Sequence, residues 1–207
     1  MPPLTVCVYG SSSPRTPQKY LDESHRLGHL LSEGGHLCIN GAGKHGCMGA
    51  LNDGVQQANG RVRGVIHAKW VVDQAEHPNI MDLIVVEGDD LQERKKALVH
   101  GVDVIIALPG GPGTWDEMWE MACQRGIGFS GVPIVAVNTD GFYDGFVQQL
   151  QRADKDGLLY LPPKDLVHFE PDAESALRWC VEHINSLAPD AHVIPVKVSS
   201  VSATIQW

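Results

Sequence analysis

Short apolar runs rich in β-branched residues alternate along this chain with longer stretches whose apolar positions recur at helical spacing. Leu4 to Tyr9 reads as a strand that runs into the turn-forming cluster Gly10-Ser11-Ser12-Ser13-Pro14. From Gln18 to Glu33, Leu21, Leu27, Leu30 and Leu31 share a helix face, and Gly34-Gly35 supply a stop. The alternation continues with a strand His36 to Asn40, a helix Met48 to Ala58, a strand Val62 to Ile66 and, after a polar loop, a strand Leu83 to Val86. A helix Leu91 to His100 leads into a strand Val102 to Leu108. A helix Thr114 to Gln124, a strand Pro133 to Val137, and helices Phe142 to Ala153 and Ala173 to Ser186 complete the pattern. Strands alternating with helices, several of them apolar throughout, predict an α/β fold: a mostly parallel sheet with helices on both faces.

Composition narrows the class. With 207 residues the chain is long enough for one sizeable core, and nothing demands a second domain. Residues 1–188 are expected to form a single nucleotide-binding domain. The tail 189–207, with its alternating valines, is expected to add an edge strand or a dimer contact. A formal net charge of -9 disfavours nucleic acid or an anionic membrane as the main partner, although a small anion needs only local positive charge. Five scattered cysteines without CxxC spacing argue against a disulfide framework and against a zinc site. The first strand starts at Leu4, which leaves no room for a secretory leader, and no apolar run reaches membrane-spanning length. A cytoplasmic protein is the expectation.

Three strand exits are rich in glycine: GSSS at 10–13, GAGKHGCMG at 41–49 and PGGPGT at 109–114. In open parallel sheets ligands settle at such exits, where glycine lets backbone amides approach an anion and the following helix offers unpaired N–H groups. Any one loop is as readily a tight turn; three at corresponding strand ends favour a site. Neither GxGxxG nor GxxxxGK[ST] is matched in its strand–helix setting, which points to a monophosphate over a dinucleotide or triphosphate. Gly110, Gly111, Gly113 and Thr114 are the foremost phosphate candidates. Gly41 and Gly43 would complete the cradle, and Ser11 and Ser12 belong to the first loop. Lys44 and His45 are more readily explained as solvated loop residues.

Two charged side chains stand where the fold would not need them. Thr114-Trp115-Asp116-Glu117 matches a capping box, which would account for Glu117 blandly, and Asp116 would then be a helix-start carboxylate. If the loop instead holds phosphate, Glu117 lies one turn away, about where a ribose would sit, and would stabilise an oxocarbenium ion and position water. Glu120, a turn beyond, would raise the Glu117 pKa if both face one cleft. Arg94 shares a stripe with Leu91, Leu98 and Gly101 and so points inward, as a structural ion pair or as part of a site. Trp115, Met118, Trp119 and Ala122 are read as core. His25 and His29 lack a third metal ligand.

Taken together, Gly10-Ser11-Ser12, GAGKHGCMG, Glu93-Arg94-Lys95, PGGPGTWDE and the later NTDGFYDG resemble the LONELY GUY (LOG) family of cytokinin riboside 5'-monophosphate phosphoribohydrolases, long labelled lysine decarboxylases. The likeness runs from about residue 4 to 170. It implies a Rossmann-like homodimer with active sites near the subunit interface, acting without metal or cofactor. It also implies Arg94 and Glu117 as the catalytic pair, with Lys95 and Gly110 to Thr114 binding substrate beside Gly41 to Gly43. Ala42, Cys47, Leu91, Pro112 and Ala122 depart from the family's usual residues and bear on the base; the catalytic pair is intact.

The reaction so implied is hydrolysis of the N-glycosidic bond of AMP or an N6-substituted relative to free base and ribose 5-phosphate. The rival from another class is a non-catalytic nucleotide or phosphorylated-cofactor carrier on a related fold. A pyridoxal-phosphate lysine decarboxylase is disfavoured, because the chain is short and no lysine sits in a recognisable Schiff-base context.

Overall fold

The computed structural model describes residues 2–72, 76–80 and 82–187. In chain order the elements are β1 (Thr5–Tyr9), α1 (Gln18–Glu33), β2 (Leu37–Asn40), α2 (Gly46–Gln57), β3 (Arg61–His67), α3 (Ala68–Val72), β4 (Asp82–Val86) and α4 (Gln92–Val99). There follow β5 (Val104–Ala107), α5 (Pro112–Gly126), β6 (Ile134–Val137), a 3-10 turn (Thr139–Gly141), α6 (Asp144–Lys155), α7 (Pro163–Leu166), β7 (His168–Glu170) and α8 (Ala173–Ser186). Among the described residues seven strands pair in parallel, in the order β4-β3-β2-β1-β5-β6-β7. The expected Rossmann-like α/β architecture is the one observed.

The period of two along each strand builds two cores. Val6 and Val8 of β1 join Val104 and Ile106 of β5 under Leu27 and Leu31 of α1, Leu51 and Val55 of α2, and Ala176 and Cys180 of α8. Cys7 and Tyr9, alternate residues of the same β1, point the other way with Ile105 and Ala107, under Leu98 of α4 and Met118, Met121 and Ala122 of α5. Every inner strand is therefore covered twice, which is why β5 and β6 read as uninterrupted apolar runs. Trp115 and Trp119 pack at the margin of the second core against Phe146, in keeping with their helical spacing.

The sheet grows in one direction from β1 to β4, and α4 then carries the chain back so that β5 lies on the other side of β1. This reversal leaves a crevice above the carboxyl ends of β1, β2 and β5, where the three glycine-rich loops emerge. Three short elements escaped the sequence reading: α3, α7 and β7 each have five residues or fewer, too short for a periodic signal. The tail 189–207, expected as an edge strand or dimer contact, lies outside the described residues. Among the described residues no helix is long and apolar enough to cross a membrane.

Candidate active site

Helix α5 opens two residues earlier than the sequence suggested. Gly111 is the N-cap and Pro112 the first helical residue, because proline's fixed φ is preset for that position and its missing N–H loses nothing there. The capping box is thereby excluded: Thr114 is the third helical residue and no side chain caps the helix. Asp116, beyond the first turn, is no helix-start carboxylate either. The first helical bond runs from the Trp115 amide to the Gly111 carbonyl, so the Gly113 and Thr114 amides precede it, without acceptors in the helix. A Cβ built on Gly111 or Gly113 would meet nothing within 4 Å, so both glycines border open space.

That space is a cavity of about 500 Å³, within the roughly 300–1,000 Å³ of small-molecule sites. Ser11, Ser12, Gly41, Gly43, Arg94, Lys95, Gly111, Gly113, Thr114 and Glu117 all line it. Gly110 does not. It faces a neighbouring depression with Arg15, Tyr20 and Phe142, and a Cβ there would overlap the Thr114 hydroxyl. Ser11 lines the cavity but its polar atoms are spent on joining loops. Its amide donates to the Pro109 carbonyl at 3.1 Å, its carbonyl accepts from the Met48 amide at 3.1 Å, and its hydroxyl bonds Thr16 at 2.8 Å. Ser12 is the exposed serine of that turn.

The second glycine loop is shaped by a buried amide pair that the sequence reading missed. Asn40 Nδ2 donates to Asn52 Oδ1 at 2.7 Å, Asn40 Oδ1 accepts from the Ala42 amide at 2.8 Å, and Asn52 Nδ2 donates to the Gly43 carbonyl at 3.3 Å. Both asparagines are wholly buried. Ala42 is held at a φ of 61°, in the left-handed region where its methyl is disfavoured. The spacing of a strand-end asparagine twelve residues before one on the next helix is the only sequence signal for this lock, and it is weak.

Arg94 and Glu117 meet at the cavity floor. Nη1 of Arg94 donates to Oε1 of Glu117 at 2.9 Å, and Nε donates to the Val65 carbonyl at 3.1 Å. The Arg94 guanidinium carbon lies over the Trp70 ring, 5.2 Å from its centre, a cation–π contact. A Cβ on Gly41 would overlap Arg94 Nη2, so only glycine lets the loop pass the guanidinium. Two of five N–H groups are accounted for, and the other three have no acceptor among the described residues. Burial pushes the Glu117 carboxyl above its ordinary pKa, and Arg94 recovers only part of that shift.

Lys95, the next residue on α4, also borders the cavity but pairs with other acids of α5. Its ammonium lies 2.7 Å from Glu120 Oε2 and 3.1 Å from Asp116 Oδ2, with the side chain 10% exposed. The Glu120 contact is a charge pairing off the direction of a hydrogen bond, and that oxygen has no other partner. His25 and His29, away from the cavity, are tilted ring neighbours on α1, and His25 bonds Gln57. Cys7, Cys38, Cys47 and Cys180 are buried thiols and Cys123 an exposed one, all free.

The family model described as "Possible lysine decarboxylase" matches residues 48–180. The cytokinin riboside 5'-monophosphate phosphoribohydrolase LOG of Oryza sativa subsp. japonica is 28% identical over 199 residues, covering 89% of this chain and 81% of the relative. A probable cytokinin riboside 5'-monophosphate phosphoribohydrolase of the same plant is 30% identical over 86% of this chain and 78% of the relative. Among solved structures, the structural-genomics target TM1055 is 26% identical with a TM-score of 0.66, over 88% of this chain and 99% of that one. The molybdenum cofactor carrier protein of Chlamydomonas reinhardtii shares the fold at 19% identity and a TM-score of 0.64, over 90% of this chain and all of that one. With more than half its length matched by the family model, the chain belongs to the possible lysine decarboxylase family, in which its matched relatives are the LOG phosphoribohydrolases.

Proposed function

We propose that this chain hydrolyses the N-glycosidic bond of a purine-type nucleoside 5'-monophosphate, AMP or a cytokinin riboside 5'-monophosphate, giving free base and ribose 5-phosphate. The observation that carries the reading is the buried Arg94–Glu117 pair set one helical turn from the Gly113 and Thr114 amides. Along α5, Glu117 lies three residues beyond Thr114, a rise of about 4.5 Å. A phosphate at the helix start would therefore leave its ribose facing the carboxylate. The curated relatives, named for this reaction and aligned over most of the chain, support it.

In the proposed step the C1'–N bond breaks with its electron pair going to the base, and positive charge builds on the ribose C1' and ring oxygen. The Glu117 carboxylate stabilises that charge and accepts a proton from the attacking water, while solvent protonates the departing base. Arg94, permanently charged, holds Glu117 in place and offers its remaining N–H groups to the substrate. Amides of Gly113 and Thr114, with the Gly41–Gly43 loop opposite, would bind phosphate, and the energy of that contact would position the sugar. Ser12 would border the same anion.

A homodimer in the cytoplasm completes the proposal. The family resemblance supports the first, and five unpaired thiols suit the reducing compartment. The test is incubation with a panel of nucleoside 5'-monophosphates and the matching nucleosides. Base and ribose 5-phosphate should appear from the monophosphates. Tight binding without product would favour a carrier.

A further inference from the structure

The two cations of α4 divide three acids of α5 between them. Residues 94 and 95 are adjacent on α4, so they project about 100° apart around that helix. Arg94 takes Glu117, while Lys95 reaches the i,i+4 pair Asp116 and Glu120, which flanks Glu117 on either side in sequence. The Lys95 ammonium is thus engaged by two carboxylates before any substrate arrives. An incoming phosphate would compete with both carboxylates for the ammonium, whereas the amides of Gly113 and Thr114 have no acceptor in the helix to give up.

We infer that Lys95 is a positioning residue: its ammonium bridges Asp116 and Glu120, clamps α4 against α5, and leaves Glu117 as the one carboxylate of that face available to Arg94 and substrate. The inference rests on the phosphoribohydrolase reading for its kinetic consequence, but its electrostatic consequence can be read without turnover. The charged and titratable groups around Glu117 are Arg94 and Lys95 from α4, Asp116 and Glu120 from α5, and Cys7 and Tyr9 from β1. Burial keeps the Cys7 thiol and Tyr9 phenol neutral, both pushed well above their ordinary values. Around Lys95, burial works against the ammonium, yet the Glu120 and Asp116 contacts outweigh it and hold the proton more firmly than usual. Removing this cation leaves two uncompensated anions beside Glu117, which makes Glu117 harder to ionise.

The test compares Lys95→Met, Lys95→Arg and a triple variant in which the cluster carries no charge, Lys95→Met with Asp116→Asn and Glu120→Gln. Base release from AMP would be followed against pH, and the Glu117 carboxyl titrated by carbon NMR with Glu117→Gln as the assignment control. Lys95→Met should keep KM for AMP within about threefold, lower kcat, and move both the acid limb and the Glu117 titration to higher pH by about half a unit or more. Lys95→Arg and the triple variant should bring both back, which a merely folding-defective site would not do. A KM for AMP raised about tenfold or more, with the Glu117 titration unmoved and no rescue by the triple variant, would make Lys95 a phosphate ligand and overturn the inference. If the wild-type chain releases base from no monophosphate, the phosphoribohydrolase reading fails, while the NMR titration still decides for or against the electrostatic role of Lys95.

Discussion

Arg94 on α4 and Glu117 on α5 are joined at 2.9 Å on the floor of the cavity, 23 residues apart in sequence and each largely shielded from water. An ion pair so placed is costly to build and more costly to break, because either partner left alone is a buried, uncompensated charge. Replacing Glu117 with Gln keeps an oxygen for Arg94 but removes the counter-charge, and should cost less stability than replacing it with Ala. Replacing it with Ala should cost about 3 kcal/mol in unfolding free energy. Both variants should lose turnover, by at least about 100-fold if the carboxylate stabilises the transition state. Urea unfolding beside base-release rates separates the two effects.

The pH dependence has a definite sign. Burial makes Glu117 hold its proton more tightly in the folded chain than in the unfolded one. If the carboxylate is the working form, kcat/KM falls as pH drops through this raised pKa, so the acid limb should lie above the ordinary carboxylate range of about 4.3. Stability moves the other way: ionising Glu117 costs folding free energy as pH rises between its ordinary and its raised value. Unfolding measured across that window should be flatter in Glu117→Gln than in the wild type.

Glycines on the two sides of the cavity should fail differently. A methyl on Gly113 meets no protein atom, and alanine in the first helical turn should stabilise the fold by about 0.5 kcal/mol. If phosphate approaches those amides, the same methyl obstructs it, and KM for AMP should rise about tenfold or more. A Gly113→Ala variant with higher stability and unchanged KM would move the anion elsewhere.

Gly41→Ala should act on Arg94 and leave the cap of α5 untouched. Its methyl would overlap Nη2 of a guanidinium already fixed by Val65, Glu117 and Trp70. The expected outcome is a loss of kcat larger than any change in KM, with the shift of Arg94 visible in a crystal structure of the variant.

The sheet, its helices and the three glycine exits were legible because short, nearly continuous apolar runs alternate with longer stretches of period 3.6, and because glycine clusters mark turns directly. Glu117 was ambiguous: Thr114-x-x-Glu117 fits a cap, and only the competing Pro112 at the first helical position decides against it. Arg94 could be placed on an inward stripe, yet its partner lies on another helix, which periodicity along one element does not reveal. Lys95 shows the limit from the other side. A cation beside the site suggests phosphate, while its contacts with Asp116 and Glu120 lie on another helix and carry no signal along α4 itself. The Asn40–Asn52 lock joins β2 to α2 through side chains that carry no turn or helix signal of their own.

The most direct measurement is the yield of ribose 5-phosphate from AMP, from an N6-substituted AMP and from adenosine, with the wild type and Glu117→Gln side by side. The expected result is ribose 5-phosphate and free base from at least one monophosphate, little cleavage of adenosine, and loss of the product with the glutamine variant. Equal cleavage of nucleoside and nucleotide, or wild-type yield from Glu117→Gln, would contradict it.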